Sequence, residues 1–139
     1  MKFSLFIVFF IIGACASDTS SPVQKLTSQH GGTLLKGKEH YLEVVLTRDE
    51  IKLYPLQDTG KRLEPLPIQG ARAKYSSVLS KSDWPVDDLG RRGDALIGHI
   101  DAKGDKILNV KVDLLVNGKR ESFFQRIPVL SKMNEKEVQ

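Results

Sequence analysis

Three histidines and one cysteine are the residues of this chain best equipped for chemistry. His30, His40 and His99 each carry an imidazole, a ligand that suits copper, zinc or nickel, and a carboxylate can complete such a site. Two of them lie close together in the run His30-Gly31-Gly32, seven residues, then His40-Tyr41-Leu42-Glu43. The candidate metal ligands are therefore His30, His40, Glu43 and His99, and the candidate metals copper or zinc. The bland alternative makes His30 the end of a tether, His40 a strand-entry residue and His99 a surface residue. No serine sits in a Gly-x-Ser-x-Gly elbow. Neither Asp87-Asp88 nor Glu43 has a spacing that signals paired carboxylates for glycoside chemistry. The chain is read as non-enzymatic, with no catalytic residue assigned.

The single cysteine, Cys15, has a different context. Residues 3–14 form an apolar run after one positive charge at Lys2, ending in Ile12-Gly13-Ala14-Cys15. A short basic start, an apolar core and small residues before a cut are the parts of a secretory signal. The run is shorter than the roughly 20 residues that span a bilayer. Ile12-Gly13-Ala14-Cys15 resembles the lipobox of bacterial lipoproteins. That resemblance implies cleavage of the signal peptide 1–14, a diacylglycerol on the Cys15 sulfur and an acylated new N-terminus. Several acyl chains are needed because one alone anchors only marginally. Ala16 after the cysteine implies, in a Gram-negative source, the outer membrane with the domain facing the periplasm.

A second resemblance lies further on. His30-Gly31-Gly32, His40, Glu43, Ile51, Leu53-Tyr54, Asp58 and Gly60-Lys61 together resemble a small β-domain of bacterial envelope proteins associated with heavy-metal efflux. The match covers about thirty residues and departs at Pro55, where the pattern would let the strand continue. It implies a periplasmic β-domain linked to metal handling, with His30, His40 and Glu43 as ligands and an efflux or other envelope protein as partner.

Loss of residues 1–14 from the 139 leaves 125, enough for one domain with a real core. With Cys15 lipidated, no thiol remains for a disulfide or a zinc–thiolate site. Residues 15–29 are polar and read as the lipidated cysteine and a flexible tether. The domain proper is expected over 30–130, and 131–139 as a frayed polar tail. The net charge of +4 is interspersed rather than blocked, and no basic run is interleaved with aromatics. Nucleic acid is therefore excluded as a partner.

From residue 33 the hydrophobic period is two, with frequent β-branched and aromatic residues. Thr33–Lys36 and Glu39–Leu46 read as a hairpin with Gly37-Lys38 at its centre. Ile51–Tyr54 reads as a strand stopped by Pro55, and residues 63–68 as an edge or irregular stretch. Further strands are expected over Ala71–Leu79, Ala95–Asp101, Ile107–Val116 and Glu121–Ile127, the last two joined through Asn117-Gly118. Ser80–Arg92 reads as a loop that lays Trp84 over one end of the core. Seven or eight short strands without an amphipathic helix predict an all-β, Ig-like antiparallel sandwich, with a small barrel as the alternative.

This hairpin constrains the candidate site. A turn centred on Gly37-Lys38 pairs residue 32 with 43 and makes His30 and Glu43 diagonal neighbours on one face. His40 has the opposite parity, so a flat hairpin cannot bring all three to one metal. A bulge at Gly31-Gly32, or His99 arriving from another strand, would be needed. Two functions from different classes follow: a lipid-anchored metal-binding protein of the envelope, or a structural lipoprotein that docks an envelope partner through a sheet edge or through Trp84.

Overall fold

The computed structural model describes residues 26–131. The expected signal segment, the expected lipid-attachment site Cys15, most of the expected tether and all but the first residue of the expected C-terminal tail lie outside the described residues. Ten strands follow in chain order: β1 (Thr33–Lys36), β2 (Tyr41–Leu46), β3 (Glu50–Asp58), β4 (Leu63–Pro65), β5 (Gly70–Ser77), β6 (Trp84–Pro85), β7 (Asp87–Arg92), β8 (Ala95–His99), β9 (Ile107–Val116) and β10 (Lys119–Pro128). They form two antiparallel sheets that face each other as a sandwich. The first has the order β1-β2-β3-β8-β7, with β4 also paired to β3; the second is β10-β9-β5-β6. The sheets do not close into a barrel.

Strict alternation explains the core. In β9, Leu108, Val110, Val112, Leu114 and Val116 are buried while their neighbours face out. They meet Leu42, Val44 and Leu46 of β2 and Ile51 and Leu53 of β3 in one continuous cluster. The hairpin at Asn117-Gly118 forms as expected, both residues at positive φ (51° and 77°), as a type I′ turn requires. Among the described residues every strand and every core residue lies between Thr33 and Leu130.

Three sequence expectations need correction. The first hairpin turns one residue later than expected: the Gly37 amide donates to the His40 carbonyl (2.8 Å), so Lys38-Glu39 form its centre and Lys36 faces Tyr41. Pro55 does not stop β3, which runs on to Asp58. Its carbonyl accepts from the Leu66 amide (3.0 Å), on the side where β3 changes partner from β8 to β4. The nitrogen of the same residue points that way too, away from Leu42 of β2, so its missing N–H costs the β2–β3 ladder nothing. Finally, residues 87–92 are strand rather than loop, paired to β8 with a bulge between Asp87 and Gly90.

Trp84 does lie against the core, but as a small strand. It pairs with Tyr75 of β5, their rings 5.9 Å apart, and the Lys103 ammonium sits 4.9 Å over its ring. The tryptophan is half-buried between these two and packs against the core.

Candidate functional site

Glu43 occupies the outward side of β2, between Leu34 of β1 and Tyr54 of β3. Alternation would leave it facing water, yet it is completely buried. The segment before β1 is the cause. It bends at Gly31 (φ 76°) and folds back over the carboxylate. Oε1 accepts from the amides of His30 (2.8 Å) and Gly32 (3.0 Å). Oε2 accepts from the amide of Gln29 (3.0 Å) and from His30 Nδ1 (2.9 Å). Four donors thus fill the acceptor positions of one carboxylate, which when ionised can only accept, so Nδ1 carries a proton. The His30 ring then lies flat on Tyr54, centroids 3.7 Å apart and planes 5° from parallel. A side chain at position 32 would strike the Val44 carbonyl and a Val45 methyl, and glycine is what allows the approach.

A second pair repeats the pattern. Glu121 is buried on the inward side of β10. Its Oε1 accepts from the amides of Glu39 (2.8 Å) and His40 (3.1 Å), and its Oε2 from His40 Nδ1 (2.7 Å). The β1–β2 turn belongs to one sheet and β10 to the other, so this contact ties the two sheets together at one end. Both constellations follow one rule. Two consecutive amides and the ring of the second residue converge on a buried glutamate: Gln29-His30 on Glu43, and Glu39-His40 on Glu121.

Electrostatics agree with geometry. Burial acts to raise the Glu43 carboxyl, but the His30 ring and the amides of His30, Gly32 and Gln29 outweigh it and hold the group below its ordinary value of 4.5. For Glu121, burial is again opposed and exceeded, here by the Glu39 amide, the His40 ring and the His40 amide, with the charge of His40 adding to them. Burial raises the Tyr54 phenol, against the charge of Lys52 and with those of Glu43 and Glu50.

The pH dependence of stability has a definite sign. Both carboxyls titrate lower in the folded state, so between the two values the unfolded chain binds more protons and stability rises with pH. The contribution is complete above the ordinary carboxyl value and is lost as pH falls through the lowered ones. Thermal unfolding followed from neutral pH to about pH 3 should show a fall that Glu43→Gln with Glu121→Gln flattens.

The sequence candidates are therefore divided among three places. His30 and Glu43 meet; His40 goes to Glu121 instead; His99 is exposed on β8, opposite Glu50 of β3 on one side and Asp87 of β7 on the other. Among the described residues no group of three or more His, Cys, Asp or Glu is placed to hold a metal ion. His30 and Tyr54 line an open cleft of about 510 Å³ together with Arg62, Glu64 and Asp94. Within it Arg62 pairs with Glu64 at 3.0 Å, and no hydroxyl or thiol among the described residues hydrogen-bonds to the His30 ring.

Comparison with family models, with curated proteins and with solved structures finds no match to this chain. What the protein does has to be read from its own residues.

Glu121 is the site residue that sequence reasoning missed. The signal was present: it shares the inward parity of Phe123 and Ile127, where a carboxylate must find donors or stay unburied. What the sequence does not display is that those donors come from a turn more than eighty residues earlier.

Proposed function

We propose that this chain is a lipid-anchored, non-enzymatic protein of a bacterial envelope, held at Cys15, whose β-sandwich takes an extended segment of an envelope partner protein onto the open edge of β10. The observation that carries this reading is the edge itself. β10 is ten residues long and, among the described residues, forms ladder bonds with β9 alone. Beside it runs β1, whose outer edge is also unpaired, and the two border a groove of about 400 Å³ lined by Leu34, Lys36, Phe123 and Phe124. A strand added there gains main-chain hydrogen bonds and apolar contact together.

The other edges are guarded. β6 has two residues, and β7 is charged, bulged and bent at Asp88, which has φ 51°. Such features keep an edge from pairing. A photo-crosslinking residue at Gln125 in the full chain, in its native envelope, should yield a discrete protein adduct. The same residue at Thr59, on the distant β3–β4 turn, should yield none. Equal adducts at both positions, or none at Gln125, would contradict the proposal.

A second reading, support of metal handling through copper or zinc, is favoured by one feature. Glu43 fixes Nδ1 of His30 and leaves Nε2 without a hydrogen-bond partner among the described residues, the orientation that metal-bound histidines adopt. The cleft would have to supply the remaining ligands from Glu64 and Asp94.

A further inference from the structure

The outward face of the β10-β9-β5 sheet differs from the rest of the surface in charge and in apolar exposure. Its rows follow from the ladder register: Arg126 beside Asn109 and Ser76, Phe124 beside Lys111 and Lys74, Ser122 beside Asp113 and Arg72, Arg120 beside Leu115 and Gly70. Arg72, Lys74, Lys111, Arg120 and Arg126 are all exposed, and Asp113 is the one acidic side chain among them. The charges that the sequence scatters are thus collected by the fold onto one sheet face.

The apolar residues go the same way. Phe124 stands 69% exposed in the middle of the basic array, with Leu115 (39%) and Ile107 (47%) on the same face. The other large exposed hydrophobic residues among those described, Val78 and Leu79, lie just past the end of β5. Leu79 is 96% exposed. A solvated sheet face gains nothing from leaving these side chains in water. Basic residues interspersed with an exposed phenylalanine and aliphatics are what an interfacial surface needs, the cations for anionic headgroups and the apolar groups for the acyl boundary.

We propose that this face docks on an anionic phospholipid surface, with Phe124 entering the headgroup region. The exposed Phe124, Ile107 and Leu115 among the cations favour a lipid surface over an acidic polymer, which has no acyl boundary to receive them. Phe124 borders the β10 groove as well, so Lys74 and Lys111, on β5 and β9, are what separate this inference from strand addition, and a sheet lying on the membrane leaves that edge open sideways.

The test uses residues 16–139, which contain the whole sandwich and lack the lipid-bearing cysteine, in sedimentation with vesicles. Equal parts phosphatidylcholine and phosphatidylglycerol should bind the protein at low salt, and phosphatidylcholine alone should not. Lys74→Ser with Lys111→Ser should weaken binding about thirtyfold, at about 1 kcal/mol per removed charge. Phe124→Ser should weaken it about tenfold. Lys52→Ser with Lys61→Ser, which removes the same charge from the other sheet, should have a far smaller effect. Equal loss in the two double variants, or equal binding to both vesicles, overturns the proposal. So does retention on an acidic polysaccharide without vesicle binding. Failure of the Gln125 crosslink bears on the protein partner alone.

Discussion

Replacing Glu43 with alanine is expected to destabilise the domain by about 3–5 kcal/mol. The carboxylate is fully buried and receives four hydrogen bonds, three of them from the backbone amides of Gln29, His30 and Gly32. Removing it strands those amides beneath the fold-back, and an orphaned buried donor costs about 1–3 kcal/mol. Water entering the space recovers part of the loss, which keeps the total below a simple sum. A domain of this size loses about 4–8 °C of melting temperature per kcal/mol, so the fall should exceed about 12 °C. Glu43→Gln is expected to cost less, about 2–3 kcal/mol, because one oxygen still accepts while the new NH₂ faces donors. Hydrogen exchange should show protection lost first at Gln29, His30 and Gly32. A change below about 1 kcal/mol for Glu43→Ala would mean that the fold-back is not held by this carboxylate.

The second large effect is expected at Gly37. Its φ is not in the left-handed region, so conformational freedom is not the reason for glycine there. Space is. An added Cβ would collide with Glu121 Oε1 and come within 2.8 Å of the Phe123 ring, itself buried in the core. Forcing a methyl into such a contact costs about 2–3 kcal/mol. Gly37→Ala should therefore lower stability by that amount and dislodge the His40–Glu121 pair. In a Glu121→Ala background the same substitution should cost less, since one of the two obstacles is gone, and a double-mutant cycle measures the difference. Strict additivity would show that the collision is relieved elsewhere.

How much of this was legible in the sequence depends on the range over which each feature is decided. Alternation in Ile107–Val116 and the Asn117-Gly118 turn fix the last hairpin locally, and it formed as expected. The nearness of His30 to Glu43 was expected, though as metal ligands rather than as a donor and a buried carboxylate, and so was the parity that keeps His40 away from Glu43. The means were not. Gly37 looked like a turn residue because glycine favours turns, whereas it is needed for clearance from β10, a strand that lies far along the chain. Pro55 looked like a stop because a missing N–H usually breaks a ladder. It is tolerated where β3 exchanges one neighbour for another, which only the topology reveals. Residues 87–92 lacked any apolar alternation because β7 is an exposed edge paired on one side only. The basic face illustrates the same limit: Arg72, Lys74, Lys111, Arg120 and Arg126 become neighbours only when three strands are set in register.

His30 and His40 are structural partners of buried glutamates, each spending its Nδ1 on a carboxylate that is already crowded with amide donors. The most direct test is a calorimetric titration of residues 16–139 with copper and with zinc, run beside the His30→Ala/His40→Ala double variant. The expected result is binding no tighter than about millimolar, worth about 4 kcal/mol, together with a lower melting temperature in the double variant. Micromolar or tighter binding that the double variant loses would contradict it, and would return the imidazoles to metal handling.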